Sequence, residues 1–346
     1  MNQMIEIKPV AETAEYRYAR GWHCIGEAAS FRDGKLHTLN IFGTRLLAFV
    51  GKDDQIAVLD SYCPHMGADL SQGQLVDGKV ICPFHHWQFD ASGRCTDIPY
   101  CKRIPPKAKT RKWLTCEVNR LLFVWHNPEG LPPAEGVEIP YFPEIDSPEW
   151  DNDWHLDLMI IDTHPRELVD NLVDAQHFGP VHDAPTKYFR NTFQGHIGTQ
   201  LFHGDSERLG GDLVADSAYY GPATHFTRMT AEYDGMKVES ILLNCHVPTK
   251  PNQFELRFGV LVKKIPGWTD EQNQALALEY VQQNRNSFYQ DVDIWSTKRP
   301  VDFPVLAEGD GPIYQLREWY AQFYTDEAEI PAEMNELREF ITVDNR

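Results

Sequence analysis

The chain has 346 residues, 42% of them hydrophobic and 24% charged, an ordinary globular balance with room for two domains or one large one. Its formal charge of −19, from 32 Lys and Arg against 51 Asp and Glu, repels phosphate backbones and anionic lipid. A basic patch on a protein partner suits such a field, and so does simple solubility.

Reading from the N-terminus, MNQMIEIKPVAETAEYRYARG lacks the apolar core of a signal peptide, and no apolar run approaches the ~20 residues that span a bilayer. Seven cysteines (Cys24, Cys63, Cys82, Cys95, Cys101, Cys116, Cys245) are an odd number in a long chain without an export signal. These features predict a cytoplasmic protein without a disulfide framework or membrane insertion. Residues 17–129 read as small all-β architecture. LHTLNIFGTRLLAFVGKDDQIAVLD breaks at Gly43 and Gly51–Asp54, QLVDGKVICPFHHWQFDASGRC turns at Asp77-Gly78 and Ser92-Gly93, and LLFVWH closes the region. NPEGLPPAEGVEIPYFPEIDSPEW, rich in Pro, Gly and acids, marks a domain boundary. In the second domain, RELVDNLVDAQHFGPVH begins helically, with Leu168, Leu172 and Ala175 along one face and Gly179-Pro180 ending the pattern. TFQGHIG, AYYG, ESILLNCHV and FELRFGVLV predict an antiparallel sheet. A long helix follows over TDEQNQALALEYVQQNRNSFYQDVDIWSTK with Thr269 as N-cap, then a shorter one over IYQLREWYAQFY.

Two short loops each offer one thiolate and one imidazole: Cys63-x-His65 and Cys82-x-x-His85. Two cysteines on one iron and two histidines on the other hold a Rieske [2Fe–2S] cluster, whose neutral imidazoles raise the potential so that it accepts electrons. A structural Cys₂His₂ zinc site competes on spacing alone. The flanks YCPHMGADLSQG and CPFHHWQFDASGRC resemble the Rieske signature over both loops. His86 sits one place beyond the signature and reads as packed or surface, while Cys95, Cys101 and Cys116 read as buried small hydrophobes.

Downstream, Asp174-x-x-His177-x₄-His182 supplies two histidines for a mononuclear non-haem Fe(II), which needs one carboxylate more and keeps positions open for O₂. On a helical wheel Asp291 shares a face with Asn284, Phe288 and Trp295, whereas Asp293 is turned about 200° away. Asp291 is therefore the expected third ligand. Asp174 reads either as a helix-surface acid or as a carboxylate that orients a metal-bound imidazole. The remaining histidines (His23, His37, His126, His155, His164, His196, His203, His225, His246) lack ligand spacing and read as structural. A mostly apolar pocket is expected, with residues around Ala218–Met229 as candidates for its lining.

With both constellations in view, the chain resembles the Rieske non-haem iron oxygenases, and among them the oxygenase components of 3-ketosteroid 9α-hydroxylases. RYARGWHCIGEA, LLFVWHNPEG, DNLVDAQHFGPVH, SILLNCHVP, FYQDVDIW and IYQLREWYAQFY carry the likeness over nearly the whole length. It implies an α+β protein: an all-β Rieske domain at 17–129, then a helix-grip-like catalytic domain at 130–346, an antiparallel sheet flanked by helices on which residues 1–16 also pack. It implies Cys63, His65, Cys82 and His85 on the cluster and His177, His182 and Asp291 on the iron. It further implies a head-to-tail homotrimer in which Asp174 links His177 to the partner subunit's His85, and an Asn244 near the iron. The implied reaction is hydroxylation of a C–H bond, most simply a 3-ketosteroid at C9, with O₂ and electrons from NADH through a separate flavin and iron–sulfur reductase. Sterol desaturation, aromatic O-demethylation and a non-catalytic electron-transfer or zinc module are the alternatives. Pro64 and Ala68 stand where such hydroxylases often carry Arg and Gly. GPVHDAP replaces a more aromatic stretch, and 203–215 is shortened, which bears on the steroid rather than on the metals.

Overall fold

The computed structural model describes residues 16–151, 153–206, 211–233 and 235–346. The expected packing of 1–16 thus lies outside the described residues except for Tyr16, whose hydroxyl is hydrogen-bonded to Nε2 of His164 at 2.9 Å. Part of the shortened 203–215 segment lies outside them too.

The N-terminal region folds into three small antiparallel sheets. His37–Ile41, Thr44–Val50, Ile56–Asp60 and Lys112–Trp113 form the first, with turns at the glycines that interrupt the sequence pattern. Gln74–Val76, Lys79–Ile81, Gln88–Phe89 and Cys95–Asp97 form the second. In the third, Leu121–His126 lies between Gly21–Glu27 and Thr115–Val118, with all six of its side chains buried. Cys95 is buried as expected, but Cys101 is exposed and Cys116 only half-buried. Cys101 falls in a loop where its thiol donates to the Arg103 carbonyl, and Cys116 sits on an edge strand covered from one side.

The C-terminal region is built on an eight-stranded antiparallel sheet. Its spatial order is Asp157–Ile161, Gln253–Val262, Met236–Lys250, Thr224–Tyr233, Gly211–Tyr220, Ile197–Ser206, Thr186–Gln194 and Arg338–Asp344. TFQGHIG is the tip of a hairpin rather than one strand, because Gly195 at φ 55° lets the chain reverse there. The helix Asp270–Thr297 begins at Thr269, whose hydroxyl takes the Gln272 amide while the Gln272 side chain returns to the Thr269 amide. It buries Ala277, Tyr280 and Val281 against Phe258, Val260 and Val262 of the sheet. A second helix, Ile313–Ala321, ends in a tighter turn, Gln322–Tyr324.

The acidic, proline-rich stretch after residue 126 is more than a tether. Ile139, Phe142, Ile145 and Trp150 are buried in one cluster with Trp22, Phe123 and Trp125 on one side and Phe226, Ile241 and Leu243 on the other. This apolar mortar joins the two regions. No helix among the described residues is long and apolar enough to cross a membrane.

Candidate metal centres and substrate cavity

The two N-terminal loops share one backbone plan. The Cys63 amide donates to the Ala68 carbonyl and the Gly67 amide returns to Cys63; likewise Cys82 donates to Trp87 and His86 returns to Cys82. Each return residue has a positive φ, 74° at Gly67 and 58° at His86. His86 is therefore a turn residue with an exposed side chain. Cys63 and Cys82 are buried at the loop bases, and the rings of His65 and His85 lie 4.6 Å apart. Trp87 stacks on His65 at 4.5 Å and donates its indole N–H to Tyr100, which fixes both rings.

This donor set fits a [2Fe–2S] cluster. Burial pushes the Cys63 thiol up to about 11, with Cys82 beside it adding to the rise, so the pair ionises readily only if a cation takes the thiolates. Nδ1 of His65 is buried without a hydrogen-bond partner among the described residues, as a ligand nitrogen should be before its metal is counted.

Asp69 ties the first loop to the sheet. Its carboxylate accepts from Ser61 Oγ at 2.6 Å, the Ser71 amide at 2.9 Å and Arg45 at 2.5 Å. Burial alone would raise its pKa, but these bonds outweigh it and hold the group at about 2 against an ordinary 3.8. A depressed folded-state value stabilises above the unfolded one, so this contribution is lost as pH falls from about 4 towards 2. We expect Asp69→Asn to cost about 1–2 kcal/mol at neutral pH and to flatten that acid limb. Unfolding curves against pH, followed by cluster absorbance, check both.

In the second region the expected helix is broken. Arg166–Val169 is α-helical and Asp170–Leu172 a tighter turn; after an irregular turn over residues 173–177, Phe178–His182 forms a new one-turn helix. Gly179-Pro180 thus lies inside a helix instead of ending one. Proline is tolerated there because the first-turn amides have no intrahelical partner to lose. Leu168, Leu172 and Ala175 are nonetheless all buried. Arg317 clamps Asp170 through two bonds of 3.1 and 2.6 Å, and the fully buried Glu167 takes Lys298 at 2.8 Å. Gly311 passes so close that a Cβ there would lie 1.7 Å from the Val173 carbonyl oxygen. The segment presenting His177 is thereby fixed from behind.

His177, His182 and Asp291 come together with one ligand atom each, all within 4.8 Å of one another. Nε2 of His182 lies 3.2 Å from Asp291 Oδ2. Asp291 is 7% exposed, whereas Asp293 on the same helix is exposed. Each histidine has its other nitrogen engaged. His177 Nδ1 donates to the Asp174 main-chain carbonyl at 2.5 Å, and His182 Nδ1 is hydrogen-bonded to Ser287 Oγ at 3.1 Å. His177 Nε2 is thus left as an acceptor, and His182 Nε2 faces the carboxylate. Burial lowers the pKa of His177 while Asp291 and Asp174 oppose it, so the neutral, metal-ready form prevails. Two imidazoles and one carboxylate on one side of a point in space suit Fe(II) with open positions. The Asp174 carboxylate faces outward and accepts the Gln176 and His177 amides at 3.1 and 3.2 Å. It borders a surface groove with Lys298, Leu306 and Arg317.

A cavity opens from the three ligands along one face of the sheet, with about 1090 Å³ free of protein atoms, its mouth included. Phe178, Phe202, Leu213, Met229, Leu242 and Phe258 give it an apolar wall; Gln200, Ser217, Thr227 and Asn244 add polar points. Of the expected stretch Ala218–Met229, Tyr219, His225, Thr227 and Met229 contribute. Ser287 and His225, which also line the site, were missed in the sequence reading, and His225 carries no spacing signal. Ser287 lies one helical turn before Asp291, which was the available clue.

Residues 21–116 match the Rieske [2Fe-2S] domain family, and residues 124–324 match the 3-ketosteroid 9alpha-hydroxylase C-terminal domain family. A 3-ketosteroid-9-alpha-monooxygenase oxygenase component of Rhodococcus rhodochrous is 43% identical, over 97% of this chain and 89% of its own length. The Mycobacterium tuberculosis protein of the same description is 42% identical, over 95% of this chain and 88% of its own. Crystalline dicamba monooxygenase bound to dicamba shares the fold, with a TM-score of 0.69, 20% identity and coverage of 91% of this chain and all of that one. The paired thiolate–imidazole loops and the cavity above two histidines and an aspartate therefore sit in a chain that belongs to the 3-ketosteroid-9-alpha-monooxygenase oxygenase components, a family of Rieske monooxygenases.

Proposed function

We propose that this oxygenase component hydroxylates an unactivated C–H bond of a hydrophobic polycyclic substrate, a 3-ketosteroid at C9. The observation that carries this reading is the apolar cavity opening directly over His177, His182 and Asp291, joined to the 43% identity with steroid monooxygenase components. Iron held by those three residues supplies O₂ activation, with electrons stored by a [2Fe–2S] cluster on Cys63, His65, Cys82 and His85. The chain's own residues set geometry and access. Asp174 and Ser287 hold the two imidazoles in one orientation, Phe178 and Phe258 wall the reacting carbon from water, and the far polar points orient the ring system. Asn244, on the cavity wall, is assigned to the vicinity of the iron.

A homotrimer fits the exposed apolar side chains. Met66, Phe84 and Tyr100 surround the cluster loops, and Val301 and Leu306 line the Asp174 groove. Asp174 would then face the partner subunit's His85. The division between Rieske and catalytic domains is placed at 129/130, after the last strand of the N-terminal sheets. The acidic surface suits a basic face on a separate NADH-fed flavin and iron–sulfur reductase, and seven free cysteines suit a reducing cytoplasm.

The test is turnover with a surrogate reductase and O₂ on a substrate panel, with products identified by mass spectrometry and NMR. Androstenedione hydroxylated at C9 is the expected product. Turnover of methoxyarenes alone would end the steroid assignment.

A further inference from the structure

One stretch of the surface reverses the sign of the molecule. Residues 98–116 hold six cations (Lys102, Arg103, Lys107, Lys109, Arg111 and Lys112) and no acid, in a chain of net charge −19. All six are exposed. Arg111 lies over the Trp113 ring at 4.2 Å, and no carboxylate among the described residues pairs with any of the six. The nearest acids along the chain are already engaged: Asp97 takes the Gln88 amide at 3.2 Å, and Glu117 takes Arg32 at 2.8 Å. Gathering like charges costs self-repulsion, which a partner of opposite sign relieves.

The run lies beside the cluster loops. Ile104 and Ala108 pack in one apolar cluster with Cys63, Cys82 and Trp87, and the Ala108 carbonyl takes the Cys95 amide at 2.9 Å. Pro105 and Pro106 stiffen the chain between them. Just before the run, Tyr100 is 63% exposed; it accepts the Trp87 indole N–H at 2.8 Å, and Trp87 stacks on His65 at 4.5 Å. Packed rings thus lead from the edge of the basic run to His65. His85 is the histidine turned to the neighbouring subunit in the proposed trimer, which leaves the His65 side for an electron donor.

Net charge by itself suits a basic partner, but at contact the local charge decides, because at ~0.15 M salt exposed charges beyond about 8 Å are largely screened. We propose that Lys102, Arg103, Lys107 and Lys109 form the docking face for an acidic, electron-donating surface on the separate iron–sulfur reductase. There the donor loses one electron and the cluster gains it, with no bond made or broken. The partner's identity rests on the proposal that a separate reductase feeds this chain; the sign of its face rests on the charges.

Stopped-flow reduction of the oxidised holoenzyme tests it, without substrate or O₂ and with cluster absorbance as the readout. The donor is a photoreduced plant-type [2Fe–2S] ferredoxin of acidic surface, whose potential lies well below that of Rieske centres. Reduced methyl viologen, a small cation, is the reference reductant. The ferredoxin rate is expected to fall about ten-fold between about 10 and 200 mM salt. Lys102→Glu/Arg103→Glu and Lys107→Glu/Lys109→Glu should each slow it about ten-fold at the lower salt and weaken its salt dependence, with viologen reduction no slower. Lys237→Glu/Lys264→Glu makes the same change of charge on the catalytic region and should leave the ferredoxin rate within about two-fold. Cluster absorbance, thermal unfolding and light scattering establish that each variant is folded and assembled as before. A rate indifferent to salt, basic-run variants as fast as the unmodified protein, equal slowing by the control, or a ferredoxin that fails to reduce a cluster that viologen reduces would overturn the docking face. Basic-run variants that fall apart into protomers would overturn it too, assigning the run to contacts between copies. If viologen leaves the spectrum unchanged as well, the Rieske reading itself fails, and the face with it.

Discussion

Asp291→Ala is expected to abolish product formation, by about 10³-fold or more, while leaving the reduced cluster's EPR signal and visible spectrum unchanged. The carboxylate is the only anionic member of the trio, and its Oδ2 lies 3.2 Å from His182 Nε2. Without it, two neutral imidazoles must hold a divalent ion alone in a buried site, and iron analysis should show loss of the mononuclear metal with the cluster iron retained. Asp293→Ala is the matched control. It lies two residues along the same helix on the solvent side and should leave turnover within error. A ~10³ loss corresponds to about 4 kcal/mol of transition-state stabilisation, beyond what a distant packing change supplies. Asp291→Ala protein that keeps its mononuclear iron and its rate would remove the carboxylate from the proposed ligand set. Equal losses in both variants would point to damage to the helix.

The contrast between those two aspartates was legible before any coordinates, because a 28-residue helix with a capping box keeps its 100° period long enough to separate them. The cluster loops were legible for a different reason: all four donors fall within 23 consecutive positions and are spaced by local turns. Where the sequence misled, the cause was local too. Leu168, Leu172 and Ala175 keep a helical spacing and are buried, yet the hydrogen bonding changes at Asp170 and stops after Asp174, since burial pattern constrains side chains and not bond register. His225 was illegible because its setting is made by pairing across strands: neither Tyr219 nor Asn244 is near it at any spacing that signals a site. The clamps Arg317–Asp170 and Lys298–Glu167 span well over a hundred residues and leave no periodic trace.

Asp174 does two separable things, and a pair of substitutions tells them apart. Its main-chain carbonyl orients His177 and survives any side-chain change, while its carboxylate caps the Gln176 and His177 amides and presents a negative charge at the surface groove. Asp174→Asn keeps an oxygen that accepts those amides but removes the charge; Asp174→Ala removes both. If the carboxylate serves the proposed link to the partner subunit's His85, both variants should retain cluster and mononuclear iron yet form product about 100-fold more slowly in a single turnover of pre-reduced protein, with no reductase present. If the side chain only caps the turn, Asp174→Asn should recover most of the rate that Asp174→Ala loses, and the loss in Asp174→Ala should come with reduced iron occupancy. Unchanged single-turnover rates in both would remove Asp174 from the electron path. The pre-reduced format matters because the electrons are then already on the chain, so a slow reductase encounter cannot imitate a slow transfer between the two centres.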